Sequence, residues 1–412
     1  MFERYPCGTR TRRQFLAMAS ALPLMTSGLR YVSAQEPLAA SGKLADIKGK
    51  LGIPGPWPGR VVEVQHPGMV KPDRTRDRDA MKLAMNRGLR ELTGADHDVE
   101  AWRTLFEPGD VVGIKVVPNG FPNAPTSIEL ILNVIESLEL VGVKRRDIIV
   151  YDRYKEEFVG AGYQKHLPQG VLWGGLTPDS DAPEPPQLRL KWPGGDPVSG
   201  YDPDEFVEMN LVHRGHDPKD DRNLRSHLGL LITRRVNKII GLPVLKDHGS
   251  AGVTGSLKNM SHGSVNNVAR SHSTPDTNSC NMFIPEVVSH PIIRKKFILQ
   301  IMDGSVGVYQ GGPFARSENR HWTWDNNALY VATDPVALDH VEWKTIDEKR
   351  KLMGLASVGA VGKLGQDADR EGFDMRQPQH IAFAGNLGLG YFDFKSPLGR
   401  RFSIDHRVIQ AL

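Results

Sequence analysis

The stretch Gly241-Leu-Pro-Val-Leu-Lys246-Asp247-His248-Gly249-Ser-Ala-Gly252-Val-Thr254-Gly255-Ser-Leu-Lys258-Asn259-Met-Ser-His262-Gly263 holds more proton-transfer and ligand groups than a connecting loop needs. Its imidazoles can move protons or bind a metal, its ammonium groups can hold an anion or anchor a cofactor, and its glycines free backbone N–H groups for a ligand. A bland alternative exists for each residue taken singly. Lys246, Asp247 and His248 would then form a solvated turn, and Lys258 and His262 an exposed helix face.

These groups need a frame. The apolar run from Ile239 to Leu245 predicts a strand, the glycines a turn, and Thr254 to Asn259 a helix start. In an open α/β sheet, ligands sit at the carboxyl end of a strand entering such a unit. Upstream, Pro108-Gly-Asp makes a turn and Val111 to Val117 a buried strand interrupted by Lys115, with Asn119 just beyond. A lysine there must reach the strand's end or a carboxylate, unless the strand is an edge with Lys115 in water. Pro125-Thr-Ser127 caps a predicted helix over Ile128 to Val141, and Asp147 to Tyr151 is a strand ending in Asp152-Arg153. Strand, helix, strand in that order implies a right-handed parallel crossover.

Further elements follow the same patterns. Val61 to Val64 reads as a short strand, Asp79 to Leu92 as a helix stopped by Gly94, and Leu224 to Arg235 as helical. Lys296 to Met302 is a strand closed by Asp303-Gly304, and Gly307 to Pro313 a mobile loop. His321-Trp-Thr-Trp324 is a possible aromatic wall of a pocket. Asp334-Pro335 opens a helix, and His380 to Ala384 is a last strand before a glycine turn. The fold class expected is α/β: a mostly parallel, Rossmann-like open sheet with helices on both faces and irregular insertions. Residues 1–34 form an export signal, 35–60 a surface arm, and 61–412 the α/β domain, with an irregular insertion at about 165–225.

Thr11-Arg12-Arg13-Gln14-Phe15-Leu16-Ala17, the apolar run to Leu24 and the small-residue pattern Val32-Ser-Ala34 form a twin-arginine export signature. Cleavage near Ala34 is expected; the alternative is an uncleaved anchor, for which a span needs about 20 apolar residues and this run is broken by Pro23. The expected location is periplasmic or secreted, with the twin-arginine translocation machinery as a partner. The leader holds five arginines and one glutamate, so its +4 equals the formal charge of the whole chain and the mature protein is close to neutral. No electrostatic case remains for nucleic acid or an anionic membrane. Of the two cysteines Cys7 lies in the leader, leaving Cys280. That excludes an intramolecular disulfide, a cysteine-based zinc site and an iron–sulfur cluster, and any metal is expected to use His, Asp, Glu or backbone oxygen. About 375 mature residues suit one large or two interleaved α/β domains.

Pro108-Gly-Asp-Val-Val-Gly-Ile-Lys115-Val with Asn119, the unit Ile128 to Asp152, Asn237 to Gly263, Asp303-Gly304, Thr333-Asp-Pro-Val-Ala-Leu-Asp339 and the terminal glycine turn resemble the domain of unknown function 362 family. Some of its members carry a ferredoxin-like iron–sulfur segment, for which this chain has no cysteines. Pro122 to Thr126, together with Leu245-Lys-Asp-His248 through Lys258 and Gly263, is similar to the amino-terminal domain of nickel-dependent lactate racemase. That resemblance implies His248 as a proton-transfer base, Lys258 as the lysine carrying a nickel-pincer cofactor, and His272 as a metal ligand. The racemase's second histidine has no counterpart here, because Tyr151-Asp152-Arg153 occupies its region; Asp152 is the acid or base left to a different reaction.

Two functional readings follow. The first is an exported metal- or cofactor-dependent enzyme acting on a small oxygen-rich substrate. Here His248, Lys258 and Asp152 are catalytic, Lys115, Asn119, Lys246, Thr254 and Asn259 bind substrate or cofactor, and His262, His272 and Asp303 hold a divalent metal such as zinc, nickel, manganese or magnesium. The second is a periplasmic binding or carrier protein for an anionic ligand or metal, with no turnover.

Overall fold

Alternation along the apolar runs decides the architecture. Ile148 and Val150 join one hydrophobic core and Ile149 and Tyr151 another; Ile240 and Ile239, and Leu329 and Tyr330, divide in the same way. A period of two with both sets buried means a sheet covered on both faces. The computed structural model describes residues 44–178, 196–213, 215–272, 279–360 and 377–411. All of them belong to the unit Gln35–Leu412, so Arg12, Arg13 and the cleavage site at Ala34 lie outside the described residues.

The strands are β1 (Arg60–Gln65), β2 (Val112–Lys115), β3 (Ile148–Asp152), β4 (Leu172–Gly175), β5 (Tyr201–Glu208), β6 (Arg225–Gly229), β7 (Lys238–Gly241), β8 (Val244–His248), β9 (Gly252–Val253), β10 (Phe297–Val308), β11 (Thr323–Ala332) and β12 (Asp405–Gln410). The helices that matter here are α1 (Arg78–Thr93), α2 (Asp98–Arg103), α3 (Ile128–Leu140), α4 (Gly255–His262), α5 (Cys280–Ser289), α6 (Pro335–Leu352) and α7 (Gln379–Asn386). The main sheet runs β12-β1-β11-β10-β7-β2-β3-β4, with β8 on β10 and β9 on β8. The pairs β12/β1, β10/β7, β7/β2, β2/β3, β3/β4 and β10/β8 are parallel, whereas β11 is antiparallel to both β1 and β10. The sheet is therefore mostly parallel. Met85 and Leu89 of α1 and Ile131 and Ile135 of α3 cover one face; Leu257 of α4, Phe283 of α5, Val341 of α6 and Ile381 of α7 cover the other.

Local chemistry sets the helix ends. Asp77 accepts from Ala80 N at the start of α1, and Gly94 ends it at φ 76°. Asp334 caps α6 by accepting from Val336 N and Ala337 N, with Pro335 in the first turn. The same carboxylate accepts from Gly59 N and Tyr391 N, tying three distant segments together. Among the described residues no helix is long and apolar enough to cross a membrane.

Several expectations are corrected. Residues 52–59 are buried, with Trp57 in the core, so this part of the expected arm packs into the domain. Leu224 to Arg235 is not one helix: β6 occupies its first half and pairs with β5 in a separate two-stranded sheet. Within the expected irregular insertion, β4 extends the main sheet and β5 pairs with β6. Arg270 pins this second layer, its guanidinium donating to the carbonyls of Val207, Met209, Leu211 and Leu224 and to Ser226 Oγ. β10 does not close at Asp303-Gly304 but runs on to Val308 through an irregularity between Gly304 and Val306. His380 to Ala384 lies in α7, a short apolar run being readable either way.

One step in this sheet creates the site. β7 lies between β10 and β2 until Gly241, where Leu242-Pro243 moves the chain sideways and β8 continues along β10 without pairing to β2. Leu242 N donates to Lys115 O as the last rung toward β2, and Asp303 N donates to Pro243 O on the other side. Beyond these bonds the carboxyl ends of β2 and β8 diverge. A crevice opens there, where ligands of open α/β sheets bind.

Candidate functional site

The crevice holds a cavity of about 510 Å³ lined from the ends of β2, β3 and β8, from α4, and from the segments at 266–272 and 313–314. Of the residues singled out in the sequence, Lys115, Asn119, Asp152, His248, Thr254, Lys258, Asn259, His262 and His272 line it. Lys246 and Asp303 do not. Lys246 is fully buried, and its Nζ donates to Asn119 Oδ1 at 2.5 Å, so it supports the wall from outside. Asp303 spends both oxygens on Ser127 and Ser305, accepting from the backbone N and Oγ of each. It braces the strand rather than facing the cavity.

Lys115 occupies a central strand, not an edge. Its ammonium meets Asp152 Oδ1 at 2.5 Å, Val116 O at 2.7 Å and Asn259 Oδ1 at 2.9 Å. Burial lowers its pKa and Asp152 opposes the shift, so the pair is a compensated buried charge. Among the described residues Asn259 Nδ2, which is buried, finds no hydrogen-bond partner.

Lys258 differs. Among the described residues it has no carboxylate partner, and its Nζ lies 3.3 Å from His272 Nε2. Desolvation pulls its pKa down to about 8; the Cys280 thiol opposes this and Arg153 adds to it. Lys246 is brought down to about 7, by burial first, against the pull of Glu157, Asp152 and Glu342. Two amines near neutral pKa, one on the wall and one behind it, make the local field positive and sensitive to an arriving anion.

The histidines carry assignable roles. His248 Nδ1 accepts from Ser250 N at 2.9 Å and Ala251 N at 3.2 Å, which puts the proton of the neutral ring on Nε2. The resting ring is therefore a donor through Nε2, where the racemase resemblance implies a base. Its centroid lies 5.6 Å from that of His272, which is 5.2 Å from His262. His262 is buried and pushed well below the ordinary imidazole value, by desolvation first and the Lys258 charge second. His272 keeps solvent-accessible surface, and its imidazole is also lowered by the protein around it and by Lys258.

The scaffold under α4 is acidic. Asp339 accepts from Ser256 N at 2.6 Å and Leu257 N at 2.9 Å, and Glu342 Oε1 accepts from Lys246 N at 3.0 Å. Both carboxyls are fully buried and raised by desolvation first, Asp339 further by the charge of Asp334 and Glu342 by that of Asp339. Gly255 begins the helix at φ +54°, and a Cβ there would stand 2.4 Å from the Asp339 carboxylate. The helix that carries Lys258, Asn259 and His262 is thus docked through its first turn.

Several functional residues were missed in the sequence. Arg153 lines the cavity, stacks on Tyr154 at 4.2 Å and donates to His262 O; its one signal was its place after Asp152 at a strand end. Glu157, Thr177 and Tyr201 arrive from segments without recognisable pattern. Pro313 and Phe314 form the apolar wall expected of His321 to Trp324, whereas Trp322 and Trp324 pack on Tyr309. Cys280 comes together with His262 and His272, one ligand atom from each lying within 4.8 Å of the others. The sequence reading left thiolate out of any metal site, whereas the fold places this thiol beside the two imidazoles.

No curated protein matches the chain. A solved structure of a protein from Thermotoga maritima is 12% identical with a TM-score of 0.32, the likeness covering 55% of this chain and 50% of that one. Residues 226–344, from β6 into α6, match the family model "Domain of unknown function (DUF362)", and the chain resembles that family over the stretch that contributes β8, α4 and the histidines of the cavity.

Proposed function

We propose that the cavity is the active site of an enzyme that moves a proton on a small, oxygen-rich anion. One observation carries this reading: the Lys258 ammonium, without a carboxylate partner among the described residues, shares a wall with His248, whose Nε2 holds a proton. Lys258 and Arg153 supply positive charge for a carboxylate or phosphate oxygen, and His248 donates its proton to charge developing on the substrate. Asp152, balanced by Lys115 on the cavity wall, is the base that takes the proton leaving the substrate; in the reverse direction it returns that proton and His248 takes back its own. Lys258 is equally placed to anchor a covalent cofactor, and a divalent metal belongs with the histidines opposite it. Export by the twin-arginine machinery to the periplasm or beyond is part of this proposal and rests on the leader.

Solvent-deuterium incorporation tests it. The protein is incubated in heavy water with a panel of hydroxycarboxylates, dicarboxylates and inorganic phosphate, and carbon-bound deuterium is read by NMR. The wild type is expected to label at least one carboxylate, and Lys258→Ala and His248→Asn to label none while remaining folded. Tight binding without labelling of any carboxylate would instead establish the carrier reading. Intact mass spectrometry of the exported protein shows whether Lys258 bears an adduct.

A further inference from the structure

We propose that His262, His272 and Cys280 form a mononuclear site for a borderline metal ion of the zinc, cobalt and nickel class. Their ligand atoms lie within 4.8 Å of one another, and Cys280 is wholly buried. Ligand bonds of about 2.0–2.3 Å to a tetrahedral ion require these atoms to close by roughly 1 Å, within the reach of side-chain rotation.

Proximity alone would not suffice, and the hydrogen bonds around the rings add the second reason. Ser261 Oγ donates to Lys258 O at 3.2 Å and lies 3.0 Å from His262 Nδ1. Ser271 Oγ donates to Val268 O at 2.7 Å and lies 2.8 Å from His272 Nδ1. A hydroxyl whose proton is committed to a carbonyl accepts from the ring, so His272 carries its proton on Nδ1 and presents the Nε2 lone pair. Metal-binding histidines are fixed in this way by acceptors behind the ring. His272 Nε2 now meets Lys258 Nζ at 3.3 Å, so a cation already caps its lone pair, and His262 Nε2 lies 2.8 Å from Ser271 Oγ, a contact that a bound metal would replace.

The donor set chooses the metal. Two imidazoles and one thiolate favour zinc, cobalt or nickel and disfavour magnesium and manganese, which prefer oxygen. Among the described residues no carboxylate joins the group, Asp303 being engaged elsewhere. Three protein ligands beside a cavity leave a coordination position for a water or an oxygen of the substrate.

The test is cobalt(II) substitution in the full chain carrying Cys7→Ser, so that Cys280 is the single thiol. The expected result is one equivalent bound, with tetrahedral bands in the visible and a thiolate-to-cobalt charge-transfer band in the near ultraviolet. Cys280→Ser should remove the near-ultraviolet band, and His272→Gln should weaken binding at least about tenfold. If either variant fails to fold, the spectrum of the Cys280-containing protein decides. Cobalt bound without the charge-transfer band, or no binding at all, overturns the assignment. The spectrum is read without substrate, so an inactive protein with this band keeps the metal site while losing the proposed reaction.

Discussion

Lys258 Nζ and His272 Nε2 face each other at 3.3 Å across the site, an ammonium donating to an imidazole where a carboxylate would be the usual partner. The arrangement trades stability for reactivity, and the cost is measurable. Lys258 titrates at about 8 in the folded protein against 10.5 in an open chain. A depressed lysine leaves the fold at full stability above about 10.5, and stability is lost as pH falls to about 8. The gap corresponds to roughly 3 kcal/mol. Lys258→Met is therefore expected to be more stable than the wild type near neutral pH, with an advantage that shrinks between pH 8 and 10.5. Urea unfolding across that range, set beside lost deuterium labelling, checks both halves.

Asp152 neutralises Lys115 inside the sheet, with 2.5 Å between Oδ1 and Nζ. Asp152→Asn keeps the shape but strands the ammonium, and the expected loss is about 3 kcal/mol. Replacing both residues together, Lys115→Met with Asp152→Leu, should recover most of it. Recovery of stability without recovery of labelling separates the carboxylate's chemistry from its structural duty.

Arg270 serves five acceptors from β5, β6 and their connections while fully buried. Arg270→Met removes the guanidinium donor from all five acceptors, of which Met209 O and Leu224 O keep backbone donors in Leu211 N and Met209 N. A loss of about 4 kcal/mol is expected, with the first proteolytic cuts falling between residues 200 and 225. Initial cleavage elsewhere would show that the second layer holds without it.

Gly255→Ala puts a methyl carbon against the Asp339 carboxylate at a left-handed backbone position. At least about 2 kcal/mol should be lost. Anion affinity should fall as well, because the helix carrying Lys258 is displaced from its seat. Calorimetry with inorganic phosphate at a temperature where the variant is still folded makes the distinction; unchanged affinity would separate helix docking from ligand binding.

The parallel crossover through Ile128 to Asp152 was legible because its periodicities are strong, although the expected cap is not made: Ser127 gives its hydroxyl to Asp303. Asp334-Pro335 announced a helix because its cap is local. The lining of the cavity was legible where residues crowd one loop, as from His248 to His262. What escaped depended on distance in sequence. Nothing near Lys246 tells that Asn119 receives its ammonium, and nothing near Asp303 tells that Ser127 claims its carboxylate. Glycine and proline spacing at 52–59 suggested an exposed arm, yet Gly55 fits against Thr333 and Trp57 fills a core, contacts set only by the finished fold. Cys280 looked inert because a single cysteine makes no pattern by itself; its neighbours come from a helix and a turn.

The sideways step at Leu242-Pro243 divides the sheet into two prongs that share a single root. One prong ends at Lys115 and the other at His248, and among the described residues the last backbone-to-backbone tie between the two strands is the bond from Leu242 N to Lys115 O. A molecule touching both tips would act as a clasp, resisting their separation far more than the root does. Occupancy should then be recorded well behind the chemistry, as slower solvent exchange of the Leu242 amide, even for a bound compound that never reacts.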